Sequence, residues 1–187
     1  MKNNIVFLVN LLLFFFSCFG LPVSAQVYTA KEGSVFFYSK APVENIEAST
    51  NNVQAILNTS TKEVAFIVPI RSFQFPKDLM KEHFNEKYME SDKFPNAAFS
   101  GKVKEEIDWK KDGTYPASVT GTMKMHGVKK DKIYTGTVTV RGDQISLESF
   151  FTVALKEFEI TIPKLLFQNI ADTITVKMNV NFQPYKK

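Results

Sequence analysis

The sequence contains a single cysteine, Cys18, and only two histidines, His83 and His126. Cys18 lies in an apolar N-terminal run, so the rest of the chain can form no internal disulfide and offers no thiol nucleophile. A structural zinc site normally uses four Cys or His ligands, and a catalytic site uses at least three protein ligands. We therefore expect no metal site and no cofactor.

Common catalytic and phosphate-binding motifs are also absent. The chain has no Gly-x-Ser-x-Gly elbow and no glycine-rich phosphate loop. Its net charge of +4 is small and spread along the chain, which predicts no nucleic-acid partner. Glu105 and Glu106 would point to opposite faces of a strand, so they are not expected to form an acid/base pair. These absences favour a protein that is not an enzyme.

Residues 1–25 are predicted to be a secretory signal peptide, followed by one domain over residues 26–187. Lys2 precedes an apolar run of about 15 residues, shorter than the about 20 that a spanning helix needs. Small residues at 23–25 then suit cleavage after Ala25. We therefore expect a periplasmic or secreted protein with no stable membrane span. The alternatives are an uncleaved anchor and, less favoured because Phe15 replaces the usual aliphatic residue, a lipoprotein at Cys18.

The dominant pattern in the mature chain is alternation of apolar and polar residues with a period of two. It is clearest over residues 172–182 and recurs at 64–70, 99–107, 119–125, 134–140 and 145–153. Turn-forming residues lie between these runs, at 58–61, 111–113, 126–127 and 141–143. Seven to nine antiparallel strands, several of them about ten residues long, favour an all-β, up-and-down barrel.

Residues 77–90 break the alternation and predict an amphipathic helix, with Pro76 in its first turn. Met80, Phe84 and Tyr88 recur every four residues on its apolar side. A helix cannot enter a barrel that is lined by side chains, so we expect it to cap one mouth. A second irregular stretch, residues 156–168, is expected to be a long loop or short helix over one end of the sheet.

The stretch His83 to Gly101, HFNEKYMESDKFPNAAFSG, resembles the central motif of the YceI-like family of lipid- and polyisoprenoid-binding proteins. Residues 88–89 stand in the place of an aromatic pair and residues 94–95 in the place of Tyr/Phe-Pro. Residues 99–101 match a strand that opens with Phe-x-Ser/Gly. The helical part of this motif is about one residue shorter here than in many members of the family.

A second stretch, Val119 to Lys130, VTGTMKMHGVKK, resembles the family's strand and turn around His-Gly-Val. Lys129 replaces the threonine that follows in the family pattern. The resemblance runs from about Ser34 to Phe182. His126 precedes Gly127 at a hairpin end, and from its position we expect a turn residue with a local hydrogen bond.

The resemblance implies a lipocalin-like barrel of about eight strands that encloses a hydrophobic lipid, polyisoprenoid or quinone-like. We therefore expect a non-catalytic carrier of a polyisoprenoid, an isoprenoid quinone or a fatty-acyl compound. The predicted ligand-binding residues are apolar and aromatic side chains of the helix, its rim and the inward strand faces, with one histidine: Phe66, Phe73, Phe75, Leu79, Met80, His83, Phe84, Tyr88, Phe99, Met123 and Phe151. Two alternatives stay open, an enzyme with His83 as acid/base and a structural barrel without ligand. The oligomeric state is also open, a dimer included.

Overall fold

The computed structural model describes residues 27–40, 45–162 and 171–185. The predicted signal peptide and part of the irregular stretch 156–168 lie outside them. Within the described residues there are nine strands: β1 (Val27–Ser39), β2 (Ile46–Thr50), β3 (Gln54–Asn58), β4 (Glu63–Pro69), β5 (Asn96–Val103), β6 (Gly113–Met125), β7 (Val128–Arg141), β8 (Gln144–Ala154) and β9 (Thr173–Pro184). One short α-helix, α1 (Asp78–His83), continues as a π-helical turn (Phe84–Tyr88). Two short 3-10 helices lie at Ile70–Ser72 and Leu155–Phe158, the second at the start of the predicted irregular stretch.

The strands form one antiparallel sheet that closes on itself. From β3 to β9 each strand pairs with the next, and β9 pairs with β1 from Tyr28↔Pro184 to Tyr38↔Thr175. On its other side β1 pairs with β3 near its start and with β2 near its end. Because β2 and β3 share one edge of β1, the closed barrel has eight strand positions. The predicted all-β, lipocalin-like barrel is confirmed.

The alternation located β4 to β9 but misplaced some strand ends. β6 begins at Gly113, well before the predicted run, and β5 ends at Val103, so Ile107 is buried in a loop. The alternation did not identify β1, β2 or β3. β2 and β3 have five residues each, and the adjacent pair Phe36-Phe37 in β1 interrupts a polar outer face.

Glu105 and Glu106 therefore project from a loop, and their prediction as two faces of a strand is wrong. Glu105 accepts hydrogen bonds from the Ser118 hydroxyl and the Ser118 backbone N–H, both at 2.6 Å. These two bonds favour the charged carboxylate and lower the pKa of Glu105. Glu106 forms an ion pair with Lys62.

The β6–β7 turn lies where the sequence predicts a hairpin end, and it is a tight two-residue turn. His126 and Gly127 connect Met125 to Val128, with φ angles of 50° and 78°. Positive φ at both central residues is the requirement of a type I′ turn, whose twist matches that of the strands. A Cβ on Gly127 would also lie 2.7 Å from the Phe94 ring, so the turn packs against the chain that follows α1.

One half of the barrel interior is solid. It lies toward the end that carries the β3–β4 and β7–β8 turns. Its buried side chains are Tyr28, Leu57, Val64, Val103, Val138, Val140, Ile145, Val180 and Phe182. Burying each large apolar side chain stabilises the fold by about 1.5–3 kcal/mol. This sealed core stabilises the barrel and fills only one half of its interior. The opposite half, where α1 lies, is not filled by it.

Candidate functional site

The other half of the barrel encloses a cavity of about 490 Å³. Ligand sites for small molecules typically measure about 300–1,000 Å³. Strands β1, β2 and β4 to β9 contribute to its wall, and α1 with its π-helical turn contributes the cover. The cavity lies above the sealed core and opens toward the helix.

Flat and flexible apolar side chains dominate the wall. Seven phenylalanines line the cavity: Phe37, Phe66, Phe73, Phe75, Phe84, Phe99 and Phe151. All five methionines that follow Met1 line it as well: Met80, Met89, Met123, Met125 and Met178. Methionine is unbranched and has three rotatable side-chain bonds, so it fills irregular gaps and adapts to different partners. The wall can therefore change shape at low cost.

The helix covers the mouth through one aromatic side chain. The ring centroid of Phe84 lies 5.6 Å from Phe37, 5.6 Å from Phe73 and 5.0 Å from Phe75. Leu79 borders the cavity but is 60% exposed, so it sits at the opening. The helical segment is shorter than the predicted 77–90, and Pro76 precedes the N-cap residue Lys77 instead of joining the first turn.

A second aromatic cluster forms the deep end of the cavity. Phe99 lies 6.5 Å from Phe66 and 5.4 Å from Tyr134, and Tyr134 lies 4.4 Å from Phe151. Phe66 also contacts Phe182 at 6.3 Å. Since Phe182 belongs to the sealed core, this cluster marks the floor of the cavity.

Polar groups in the wall are few, and the hydroxyls of its two serines are already bonded. Ser149 Oγ donates to Thr135 O at 2.6 Å, and Ser39 Oγ accepts from Ala171 N at 2.9 Å. The Tyr134 hydroxyl is buried and has no hydrogen bond among the described residues. Burial raises the pKa of Tyr134, with a further rise from Glu157, so its phenol stays neutral. The wall favours an apolar occupant.

His83 lines the cavity from α1, as predicted for a ligand-facing position. Within the described residues no hydrogen bond or ion pair to its ring is found. His83 therefore places one polar side chain at the border of the cavity.

His126 does lie in the turn, but its hydrogen bond is not local as predicted. Its Nδ1 lies 3.1 Å from Phe158 O, and since a carbonyl only accepts, Nδ1 donates. Its Nε2 lies 3.4 Å from Glu90 Oε2, close enough for an ion pair when the ring is protonated. The Lys93 hydrogen bond, and then the charges of Lys93 and His126, lower the pKa of Glu90. His126 thus joins the β6–β7 turn to two other segments at the mouth.

All eleven residues predicted from the sequence border this one cavity: Phe66, Phe73, Phe75, Leu79, Met80, His83, Phe84, Tyr88, Phe99, Met123 and Phe151. Their contact with a ligand stays a prediction. Sequence reasoning missed Phe37, Tyr134 and Met178, which also line the wall. Tyr134 and Met178 lie on the apolar side of alternating runs, so the sequence could have indicated them as cavity residues. Phe37 lies in β1, where the sequence shows no clear alternation.

The part of the chain that the structure describes holds no group of three or more His, Cys, Asp or Glu that could bind a metal ion. Nor does any helix in that part have the length and apolar character needed to cross a membrane.

The model of the YceI-like domain matches residues 27–182. The chain belongs to the YceI-like family. A solved polyisoprenoid-binding domain from Saccharophagus degradans, implicated in plant cell wall breakdown, is similar to this YceI-like domain with a TM-score of 0.72 and 12% identity. The match covers 84% of this chain and 98% of that one.

Two further solved structures share the YceI-like fold. BcnA from Burkholderia cenocepacia has a TM-score of 0.67 and 14% identity, covering 80% of this chain and 95% of its own. The YceI protein of Campylobacter jejuni has a TM-score of 0.62 and 16% identity, covering 77% of this chain and 88% of its own. Comparison with curated protein sequences finds no match.

Proposed function

We propose that this YceI-like domain binds a long-chain lipid inside its cavity and carries it without changing it chemically. The candidate ligands are a polyisoprenoid, an isoprenoid quinone and a fatty-acyl compound. The observation that carries the proposal is the cavity of about 490 Å³, with its wall of phenylalanine and methionine and its helical cover. The Saccharophagus degradans neighbour, described as a polyisoprenoid-binding domain, supports it.

The energetics suit a ligand that is held by its chain. Burying one methylene contributes about 0.8 kcal/mol, so about ten methylenes give about 8 kcal/mol before the costs of ordering the ligand. A ligand of this kind needs no charged anchor. The wall fits such a ligand because most of its side chains are apolar, with His83 among the few polar ones.

We place the protein in the periplasm or outside the cell, on the strength of the predicted signal peptide at residues 1–25. In that compartment a carrier would shield an apolar chain from water between two membranes or between a membrane and another protein. No nucleic-acid partner is expected, because the net charge of +4 is small and spread along the chain.

Organic extraction of the exported, purified protein followed by mass spectrometry tests the proposal. A lipid that co-purifies in an amount close to the protein supports it. Recovery of a chemically altered product after incubation with a candidate lipid would favour the enzyme alternative, for which His83 in the wall is the candidate acid/base. No bound lipid and no uptake of any candidate would contradict the proposal and favour a structural barrel.

A further inference from the structure

Strands β7 and β8 pair along only part of their length. Their ladder runs from Arg141↔Gln144 to Gly136↔Ser149 and ends there. Beyond that point, among the described residues, β7 pairs only with β6 over residues 128–135, and β8 pairs only with β9 over residues 150–154. We call this interruption of the barrel wall the β7/β8 seam.

Side chains hold the seam where the backbone ladder is missing. The Ser149 hydroxyl bonds to the carbonyl of Thr135 at 2.6 Å. On the inner side, the Tyr134 and Phe151 rings lie 4.4 Å apart and close the gap. These contacts can separate by rotation of side chains, whereas opening a paired stretch would break a series of backbone hydrogen bonds. An ion pair between Lys132 on β7 and Glu157, which follows β8, also crosses the seam. Opening the seam therefore breaks fewer backbone hydrogen bonds than opening a paired stretch of the same length.

The cavity extends to the seam. From β7 it is bordered by Tyr134, Thr135 and Gly136, and from β8 by Ser149 and Phe151. Thr135 is also exposed on the outer surface. The interior of the barrel and the outer surface therefore approach each other at a point where no ladder separates them.

The outer surface beside the seam is apolar on both sides. Ile133 on β7 is 68% exposed and Phe150 on β8 is 67% exposed, the highest values among the large apolar side chains of the described residues. Phe150 lies opposite Lys177 in β9, which lies opposite the partly exposed Phe36 in β1. The outer face of a solvated sheet is normally polar, so the exposed pair Ile133 and Phe150, one on each side of the seam, indicates contact with an apolar partner.

Charge near Ile133 favours one kind of partner. Lys124 and Lys129 are exposed and face each other on the outer side of the β6–β7 hairpin, the strand pair that also carries Ile133. Asp131, which lies between Lys129 and Ile133, accepts a hydrogen bond from Thr122, and the two lysines leave this end of the hairpin with an excess of positive charge. Like charges placed directly opposite each other destabilise a sheet, which makes a structural role a poor explanation. Lysines beside exposed apolar side chains suit a bilayer that contains anionic phospholipid.

We propose that the β7/β8 seam is a side portal for the lipid and that Ile133 and Phe150 dock it on a lipid bilayer. This inference rests on the proposed lipid-binding function. A chain that passes from the bilayer directly through the seam never exposes its methylenes to water, which avoids a cost of about 0.8 kcal/mol for each. Tyr134 and Phe151, together with the hydrogen bond from the buried Ser149 to Thr135, form the barrier between the seam and the cavity.

A reversible cross-link tests the portal. The variant Thr135→Cys/Phe150→Cys places cysteines at positions that would pair if the ladder continued one step beyond Gly136↔Ser149. Once the predicted leader with Cys18 is removed, no other cysteine competes. Transfer of an anthroyloxy-labelled fatty acid from phosphatidylcholine/phosphatidylglycerol vesicles is measured before and after addition of a reductant. Oxidation should slow transfer about tenfold relative to the reduced form of the same variant, because both forms carry the same substitutions and equally lack the Phe150 side chain.

The pair Thr139→Cys/Ser146→Cys provides the control, because these positions are already opposite each other within the ladder. Its oxidation should leave the transfer rate unchanged. Equal rates for the oxidised and reduced seam variant would overturn the portal and place entry at the mouth under α1. Absence of probe binding by the unmodified protein would instead overturn the lipid-binding function itself.

Substitutions on the outer surface test the docking step and do not depend on disulfide formation. Ile133→Glu and Phe150→Glu should each reduce co-sedimentation with the same vesicles and slow probe transfer about tenfold, with probe affinity in solution unchanged. Ile56→Glu is the matched control, since Ile56 is an exposed isoleucine on β3 away from the seam. If the three variants behave alike, the docking surface is not at the seam.

Discussion

Met123 lies directly opposite Phe99 across the β5/β6 ladder, and both side chains border the cavity. The next residue, Lys124, points to the outer surface and is exposed. This single step along β6 separates the ligand-facing side of the wall from the solvent-facing side. It provides a pair of neighbouring positions at which the location of the ligand can be tested.

We expect Met123→Trp to block lipid uptake at a modest cost in stability. The indole ring would fill space that the ligand otherwise occupies, so it need not displace packed side chains. Extra volume in a well-packed core, by contrast, typically destabilises the fold by about 1–3 kcal/mol. Val138→Trp in the sealed core, where Val138 is 1% exposed, should lower the free energy of unfolding far more. Lys124→Ala should change neither property. Titration with a fluorescent lipid measures the affinity, and urea unfolding measures the free energy of unfolding. An unchanged lipid affinity for Met123→Trp would refute this placement of the ligand.

Neither histidine is expected to be essential for binding. His83→Ala should leave lipid affinity within about tenfold, which corresponds to about 1.4 kcal/mol. The reason is that a ligand held by its chain gains little from one polar contact at the mouth. Titration with a candidate lipid gives the affinity, and circular dichroism checks the fold. Complete loss of binding in a folded His83→Ala protein would favour the enzyme or a head-group contact.

His126→Ala should affect stability more than binding. It removes the donor for Phe158 O, and a buried acceptor left without a partner costs about 1–3 kcal/mol. The free energy of unfolding should fall by about this amount, with lipid affinity again within about tenfold. A variant that is as stable as the wild type would show that the contact to Phe158 does not hold the mouth together.

Glu105 should contribute to the acid sensitivity of the fold. Its pKa is lowered in the folded state by two hydrogen bonds from Ser118. The stabilisation is therefore complete above the ordinary value of 4.5 and is lost as the pH falls through the lower folded pKa. Glu105→Gln should be less stable than wild type at pH 7, and the difference should shrink below pH 4.5. Urea unfolding over this range measures it, and a difference that stays constant with pH would contradict the assignment.

The exported protein should begin at Gln26 and carry no acyl chain. The small residues at 23–25 that follow the short apolar run are the reason for this expectation. Intact mass spectrometry of protein from the exported fraction gives the answer. A start at a lipidated Cys18, or a retained Met1, would show that one of the anchored alternatives is correct.

Alternation with a period of two was enough to predict a barrel and the inward faces of β4 to β9. In an extended strand the side chains take opposite faces by geometry alone, so Phe66, Phe99 and Met123 could be assigned to the interior from their positions. The spacing of Met80, Phe84 and Tyr88 predicted the helix that covers the mouth in the same way. These features depend on neighbours along the chain, and a sequence records such neighbours directly.

Tertiary structure alone decided which parts of the interior are filled and where the wall is interrupted. Val138 and Tyr134 belong to the same alternating run, yet one is sealed in the core and the other borders the cavity. Nor did the sequence predict the contact of His126 with Phe158 or the end of the β7–β8 ladder at Gly136. Each depends on which residues meet across the barrel, and that is set by closure and strand register, which local periodicity does not encode.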